Sequence, residues 1–303
     1  MAGQRLPLPA VTLPAQRSAA DAQGSAGPLP DFLVIGVPKG GTTSLAAYLA
    51  AHPGVHMAWQ KEVDFFQAHW ERGVDWYRTN FAAARPGQLV GEATPWYLAH
   101  PQAPERMAAV VPRARLVALL RNPVDRAYSQ YWWQRAHRSE ARSFAAAVAD
   151  ELRDPGQVPR GMPVGYLAAG RYAEQLARVS AHFPREALLV RLTEDLAHDS
   201  AALVAEVCRH IGADPDVVPA NVARSYNAAF EFRSLRLFRL MQRYRAWRRL
   251  GLGVAGRLDA WNRRRISYAP LDPALRRRLV EHFRPANAEL AEWLGRDLSA
   301  WDR

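Results

Sequence analysis

Residues 32–51 read FLVIGVPKGGTTSLAAYLAA, and this passage restricts the possible fold more than any other in the chain. An apolar run without a charge ends in Gly36, as a buried strand does. A turn with two further glycines follows, and then a stretch with helical character begins at Thr42. A strand, a glycine-rich turn and a helix in direct succession open a βαβ unit.

Later segments repeat the alternation. ARLVALLR (114–121) is almost continuously apolar, which predicts a central parallel strand covered on both faces. Asn122-Pro123 breaks it and predicts a helix over 124–137 with proline near the first turn. ALLVRL (187–192) predicts another buried strand, and Gln88 to Glu92 a short one. Helical spacing occurs over 102–111, 140–152, 172–183 and 200–211. Residues 270–295 hold one or two helices, with Pro285 as the interruption. The implied fold class is α/β, a doubly wound central parallel sheet flanked by helices. In such sheets ligands bind beyond the carboxyl ends of the strands, so Gly36 and Arg121 should open into one crevice.

The glycine loop has the look of a phosphate-binding turn with its lysine displaced. A triphosphate loop of the form GxxxxGK[ST] carries lysine after its last glycine. Here Lys39 precedes Gly40 and Gly41. The glycines let backbone N–H groups approach an anion, and Thr42, Thr43 and Ser44 occupy the helix N-terminus, where negative charge is favoured. A turn that only needed capping would require no lysine. Of the forty lysines and arginines, Lys39 and Lys61 are the two lysines, so a compact ammonium stands in the loop of an arginine-rich chain.

Two more motifs carry chemistry. Arg121 ends the central strand and Ser129 lies about two turns into the next helix, so together they suit a second phosphate. Taken singly, the arginine equally fits a surface ion pair and the serine a bond to its own helix backbone. In WQKEVDFF (59–66), Glu62 stands beside Lys61 and ahead of Phe65-Phe66. A carboxylate desolvated by aromatics serves as a general base, while an ordinary Lys61–Glu62 surface pair fits the local sequence as well.

Charge and cysteine content narrow the classes further. The net charge is +11, and the segment 232–265 alone carries eleven arginines and one acid, Asp259. One basic segment points to a local anionic partner rather than to nucleic acid at large. Cys208 is the sole cysteine, which excludes an intrachain disulfide and a cysteine-based metal cluster. Residues 1–30 mix Pro, Ala, Gly, Ser and Gln without periodicity, as a disordered leader does, and residues 31–303 read as a single domain. That leader has no apolar core of a signal peptide, and no run of about 18 apolar residues occurs, so a cytoplasmic setting is expected.

Taken together, PKGGTTSL (38–45), KEVDFF (61–66) and PRARLVALLRNPVDRAYSQY (112–131) resemble the sulfotransferases that use 3′-phosphoadenosine 5′-phosphosulfate, PAPS. Bacterial enzymes akin to the heparan sulfate N- and 3-O-sulfotransferases are the nearest in pattern. The resemblance runs over residues 32–302 and includes GRYAEQLARVSAHFPREALLVRLTEDL and the closing LRRRLVEHFRPANAELAEWLGRDLSAW. It implies the P-loop-like sulfotransferase fold and, without any metal, sulfuryl transfer to a hydroxyl of a saccharide, glycolipid or small natural product. By the same resemblance Lys39 meets the oxygen bridging phosphorus and sulfur, Gly40, Gly41, Thr42, Thr43 and Ser44 cradle the 5′-phosphate, Arg121 and Ser129 hold the 3′-phosphate, and Glu62 is the catalytic base.

Some positions depart from the family pattern. In GEATPWYL (91–98), Ala93 replaces a lysine of some members, and Asp64 stands where many have histidine. No clear match to the animal enzymes' glycine-arginine nucleotide loop occurs; Ser225-Tyr226-Asn227 and Arg233-Ser234 are weak candidates. His52 and His56 read as packing or turn residues, and His100 as an alternative base. Trp96 and Tyr97 suit either a sugar platform or the core. Glu194 and Asp195 suit helix capping. The basic segment, with Leu235, Phe238 and Met241 near helical spacing, predicts a helix whose basic face is solvated or docks on an anionic acceptor or membrane surface. Two other functions have less in the sequence behind them. A P-loop kinase lacks its GK[ST] and a magnesium-binding aspartate, and a non-catalytic nucleic-acid binder would rest on the basic segment alone.

Overall fold

The computed structural model describes residues 27–137, 139–156, 158–159, 161–222, 230–232, 234, 237, 261–265 and 268–303. Five strands form one parallel sheet: β1 (Phe32–Gly36), β2 (Val55–Met57), β3 (Leu89–Ala93), β4 (Arg115–Leu120) and β5 (Leu188–Leu192). Their order is β2-β3-β1-β4-β5. The run 114–121 is therefore an interior strand as expected, with β1 in the middle of the sheet. Phe32 pairs with Gly91 on one side and with Arg115 on the other. Gly91 is needed there, because a Cβ on it would sit 2.2 Å from the Phe32 ring.

All five residues of β1 are buried, which is why its sequence shows no alternation. Leu33, Ile35, Leu116, Ala118 and Leu120 face one apolar layer, together with Met107 of α3 (Ala103–Val110), Leu176 of α6 (Tyr172–Ser180) and Leu290 of the last helix. Phe32, Val34, Val117 and Leu119 face the other, with Leu45 and Leu49 of α1 (Thr42–Ala50) and Leu203 and Val207 of α8 (Ser200–Ile211). The sheet is thus covered on both sides, as a doubly wound fold requires. A third cluster joins α4 (Pro123–Ala136) and α5 (Phe144–Arg153) to the final helix through Val124, Phe144 and Phe283.

Several elements differ from the sequence expectations. The strand β2 and the short helices α2 (Gly73–Arg78) and α7 (Thr193–His198) went unread, since three to six residues carry too little periodicity. The helix expected from Glu140 starts at Phe144, where Ser143 accepts a bond from the Ala146 N–H at 3.2 Å. The last helix, α9 (Pro273–Leu294), runs through Pro285 unbroken. Pro285 and Glu281, whose carbonyl loses its donor, are both exposed, so the helix loses that bond on its solvent side, where the loss is cheapest.

The two ends of the basic segment are strands, β6 (Phe230–Phe232) and β7 (Arg263–Arg265), rather than helix. Their antiparallel pairing, Phe232 opposite Arg263, holds the backbone extended at both ends. The amphipathic helix expected over 232–250 lies outside the described residues apart from Phe232, Ser234 and Leu237, as do residues 1–26 of the leader expected over 1–30, Ser225-Tyr226-Asn227 and Arg233. Among the described residues, no helix is long and apolar enough to cross a membrane.

Candidate active site

The chain leaves β1 toward β2 and β3 on one side of the sheet, and leaves β4 toward β5 on the other. The crevice between the carboxyl ends of β1 and β4 is therefore the topological switch point. The glycine loop fills its floor. The Val37 N–H donates to the Leu119 carbonyl at 2.8 Å, and the Gly40 N–H donates to the Val37 carbonyl at 2.9 Å. A Cβ on Gly40 would lie 2.5 Å from the Leu119 carbonyl oxygen, so only glycine lets the loop press this closely onto β4. Gly41 has φ +96° and forms the left-handed N-cap of α1. Thr193, the first residue of α7, fastens the turn from the other side: its Oγ lies 2.9 Å from the carbonyls of both Gly40 and Leu120.

Thr42, Thr43 and Ser44 are the first three residues of α1, and all are buried. The Ser44 N–H bonds back to the Gly41 carbonyl at 3.0 Å, which leaves the N–H groups of Gly41 and Thr42 ahead of the first helical bond. Arg121 reaches across from the end of β4 and donates to the Lys39 carbonyl at 3.1 Å. The Arg121 carbonyl in turn accepts from the Tyr172 hydroxyl at 2.8 Å. Two distant sequence motifs thus meet, as expected.

Lys39 is the electrostatic centre of the loop. Its own φ is +69°, a left-handed conformation costly for a non-glycine residue. Burial, then the Arg121 guanidinium, pull its ammonium down to about 8, and Lys61 adds to the effect while Glu62 opposes it. A lysine held among cations with a lowered pKa is a site prepared for an anion. Glu62, also left-handed at φ +60°, is clamped by its N–H to the Ala93 carbonyl at 3.2 Å and forms an ion pair with the buried Lys61. The ordinary surface-pair reading of Lys61 fails, since the lysine side chain is 4% exposed.

Ser129 lies on the buried face of α4, and its partner is the Tyr268 hydroxyl, which also feels the Arg121 charge. Tyr268 stacks flat on Trp132, with ring centroids 5.3 Å apart, and the Tyr128 hydroxyl fixes the next residue by donating to the Ala269 carbonyl at 2.7 Å. Sequence reasoning missed Tyr268; its only signal was an aromatic amid arginines. Ser234 is engaged elsewhere, its backbone paired reciprocally with the Asn262 amide at 2.8 and 2.9 Å.

Behind Glu62 stands a second carboxylate that no sequence pattern singles out. Glu92 of β3 is fully buried and accepts from the hydroxyls of Tyr77 at 2.6 Å, Thr94 at 2.8 Å and Tyr97 at 2.9 Å. Burial raises its pKa, against the pull of those three donors. Tyr97 therefore belongs to this network and Trp96 to the core, so neither is an exposed sugar platform. His52 holds a turn, accepting from the Gly54 N–H and meeting the Asp214 carbonyl, each at 3.0 Å. His56 lies buried in β2. His100 accepts the Gln102 N–H at 3.3 Å at the start of α3. Asp195 caps α7 by accepting the Leu192 N–H at 2.9 Å, and Glu194 instead accepts from the Trp301 indole at 2.8 Å.

Comparison with known proteins identifies the family. The family model described as the sulfotransferase domain matches residues 29–246. The human bifunctional heparan sulfate N-deacetylase/N-sulfotransferase 3 is 31% identical over 290 residues, covering 91% of this chain. The chain spans only 31% of that relative's length. Human heparan sulfate glucosamine 3-O-sulfotransferase 6 is 31% identical over 269 residues, covering 88% of this chain and 72% of that protein. The crystal structure of a sulfotransferase from Alicyclobacillus acidocaldarius superposes with a TM-score of 0.71 at 29% identity, covering 91% of this chain and all of that one. With the sulfotransferase domain matched over residues 29–246 and relatives 31% identical over most of its length, this chain belongs to the sulfotransferase family.

Proposed function

We propose that the protein transfers a sulfuryl group from PAPS to a saccharide hydroxyl or amine in the crevice between β1 and β4. The observation that carries this reading is the convergence on Lys39 of Arg121 from one motif and Glu62 from another. The residues fit the nucleotide: a loop seated on β4, N–H groups at the start of α1, a lysine surrounded by positive charge, and an arginine and a serine that both act on Tyr268. Bound there, PAPS supplies the sulfuryl group and a phosphate as its leaving group.

The chain's own residues divide the work. Lys39 and the N–H groups of Gly41 and Thr42 stabilise negative charge growing on the departing phosphate. Arg121, Ser129 and Tyr268 hold the nucleotide's other phosphate and so fix its position. Glu62 accepts the acceptor's proton as attack begins. Lys61, in its ion pair with Glu62, aims that carboxylate while the site is empty of acceptor. The names of the relatives, N-sulfotransferase and glucosamine 3-O-sulfotransferase, support a saccharide acceptor and allow nitrogen as well as oxygen. Family membership leaves the kinase and nucleic-acid readings without support.

The test is incubation with sulfur-labelled PAPS and N-acetylheparosan, N-deacetylated heparosan or a neutral glycolipid. Label should pass to a heparosan, and Glu62→Gln should lower turnover by about 10²–10⁴-fold, the usual worth of a general base, while leaving affinity for adenosine 3′,5′-bisphosphate unchanged. Undiminished transfer by Glu62→Gln overturns the assignment of the base.

A further inference from the structure

The turn that carries Glu62 is strained, and the end of one strand holds it in place. Glu62 and Asp64 both have left-handed backbone, φ +60° and +56°. In residues other than glycine that conformation persists only where the surroundings over-determine it. Here the N–H groups of residues 62, 63 and 64 bond in turn to residues 93, 92 and 94, at the carboxyl end of β3. The Glu62 N–H donates to the Ala93 carbonyl at 3.2 Å, the Val63 N–H to the Glu92 carboxylate, and the Asp64 N–H to Thr94 Oγ at 3.4 Å.

Glu92 is the most constrained of the three supports. It is fully buried, and the hydroxyls of Tyr77, Thr94 and Tyr97 join the Val63 N–H on its two oxygens. A carboxylate offers about four acceptor sites, so these donors leave it no freedom to rotate. Tyr77 is itself locked, its ring stacked on Phe65 with centroids 4.3 Å apart. The same end of β3 is registered to the glycine loop. Val34 of β1 pairs with Ala93, and the Thr94 N–H donates to the Val34 carbonyl at 3.0 Å. One strand pair therefore spaces the loop that carries Lys39 from the turn that carries Glu62, and the Glu62 charge acts on Lys39.

Resting on the sulfotransferase reading above, we propose that Glu92 is the positioning residue of the base: by gripping the Val63 N–H from within the core, it keeps the turn in the conformation that aims Glu62 at the acceptor. Glu92 touches neither donor nor acceptor, and it moves no proton. It acts on turnover through Glu62, so disturbing it should lower kcat and leave both affinities nearly unchanged.

The test is a double-mutant cycle on the full chain, with sulfur-labelled PAPS and N-deacetylated heparosan. Glu92→Gln keeps the size of the side chain but puts an amide donor where two of its partners need an acceptor. It should lower kcat by about 10–100-fold, the cost of misplacing a reacting group by up to about 1 Å. Acceptor KM and affinity for adenosine 3′,5′-bisphosphate should stay within about threefold. In a Glu62→Gln background the same change should alter kcat by less than about twofold, because no base remains to be aimed. Thr94→Val removes the hydroxyl that lies between Glu92 and the Asp64 N–H, and it carries the cycle should Glu92→Gln not fold. It too should lower kcat, and lose that effect beside Glu62→Gln. An equal fall in kcat with and without Glu62, or a loss of nucleotide affinity that matches the loss of turnover, marks a general structural role and overturns the proposal alone. So does wild-type turnover in both variants. Failure of the wild type to bind adenosine 3′,5′-bisphosphate, or full turnover by Glu62→Gln, sinks the sulfotransferase reading and this proposal with it.

Discussion

The lowered pKa of Lys39 makes nucleotide affinity depend on pH in a calculable way. With its ammonium titrating at about 8 in the free protein, the charged fraction falls from ~90% at pH 7 to ~10% at pH 9. A bound phosphate favours the charged form and lifts that pKa, so binding above pH 8 must be accompanied by proton uptake. Affinity for adenosine 3′,5′-bisphosphate should therefore drop about tenfold between pH 7 and pH 9, with uptake rising from ~0.1 to ~0.9 proton. The phosphates themselves lose their second proton near pH 6 and contribute little to this change. Calorimetry in buffers of different ionisation enthalpy counts the protons directly. Lys39→Ala should bind more weakly at pH 7 and show no such slope, whereas Asp64→Asn, which removes a carboxyl that burial pushes up to about 8, should retain it. Equal slopes in wild type and Lys39→Ala, or no proton uptake at pH 9, would refute the reasoning.

Three further perturbations test how the crevice is built. Gly40→Ala places a methyl 2.5 Å from the Leu119 carbonyl and should weaken nucleotide binding more than it lowers the melting temperature, because the loop must lift from β4. Thr193→Val removes the hydroxyl shared by the Gly40 and Leu120 carbonyls and should cost about 1–3 kcal/mol in urea unfolding. Tyr97→Phe takes one of three hydroxyl donors from the buried Glu92 and should also cost about 1–3 kcal/mol, read as a lowered melting temperature.

How far the sequence could be read depended on where the determining contacts lie. The loop from Gly36 to Ser44, the strand ending at Arg121 and the helix carrying Ser129 are local patterns, and each occurs within two residues of its expected bounds. The meeting of Lys39 and Arg121 followed from strand topology rather than from any shared periodicity. Glu92 was hidden because its three hydroxyl partners are assembled only when β3 packs against α2 and the loop after it. Asp64 was visible as a departure from the family pattern, but its elevated pKa comes first from burial and then from Glu62 and Glu92 converging in space. Pro285 misled because a proline's effect on a helix depends on whether water can reach the carbonyl it orphans. Tyr268 could not be found without knowing that the chain returns to α4 after the basic segment.

The contact between Arg121 and the Lys39 carbonyl has a consequence for selectivity. In the proposed reaction the guanidinium assigned to one end of the donor also steadies the peptide of the lysine assigned to the other end. A plain adenine nucleotide, however abundant, would then engage the loop without satisfying that inspector. Discrimination among nucleotides would thereby be built into the same linkage that readies the departing oxygen, so that rejecting a wrong donor and failing to activate it would become a single event.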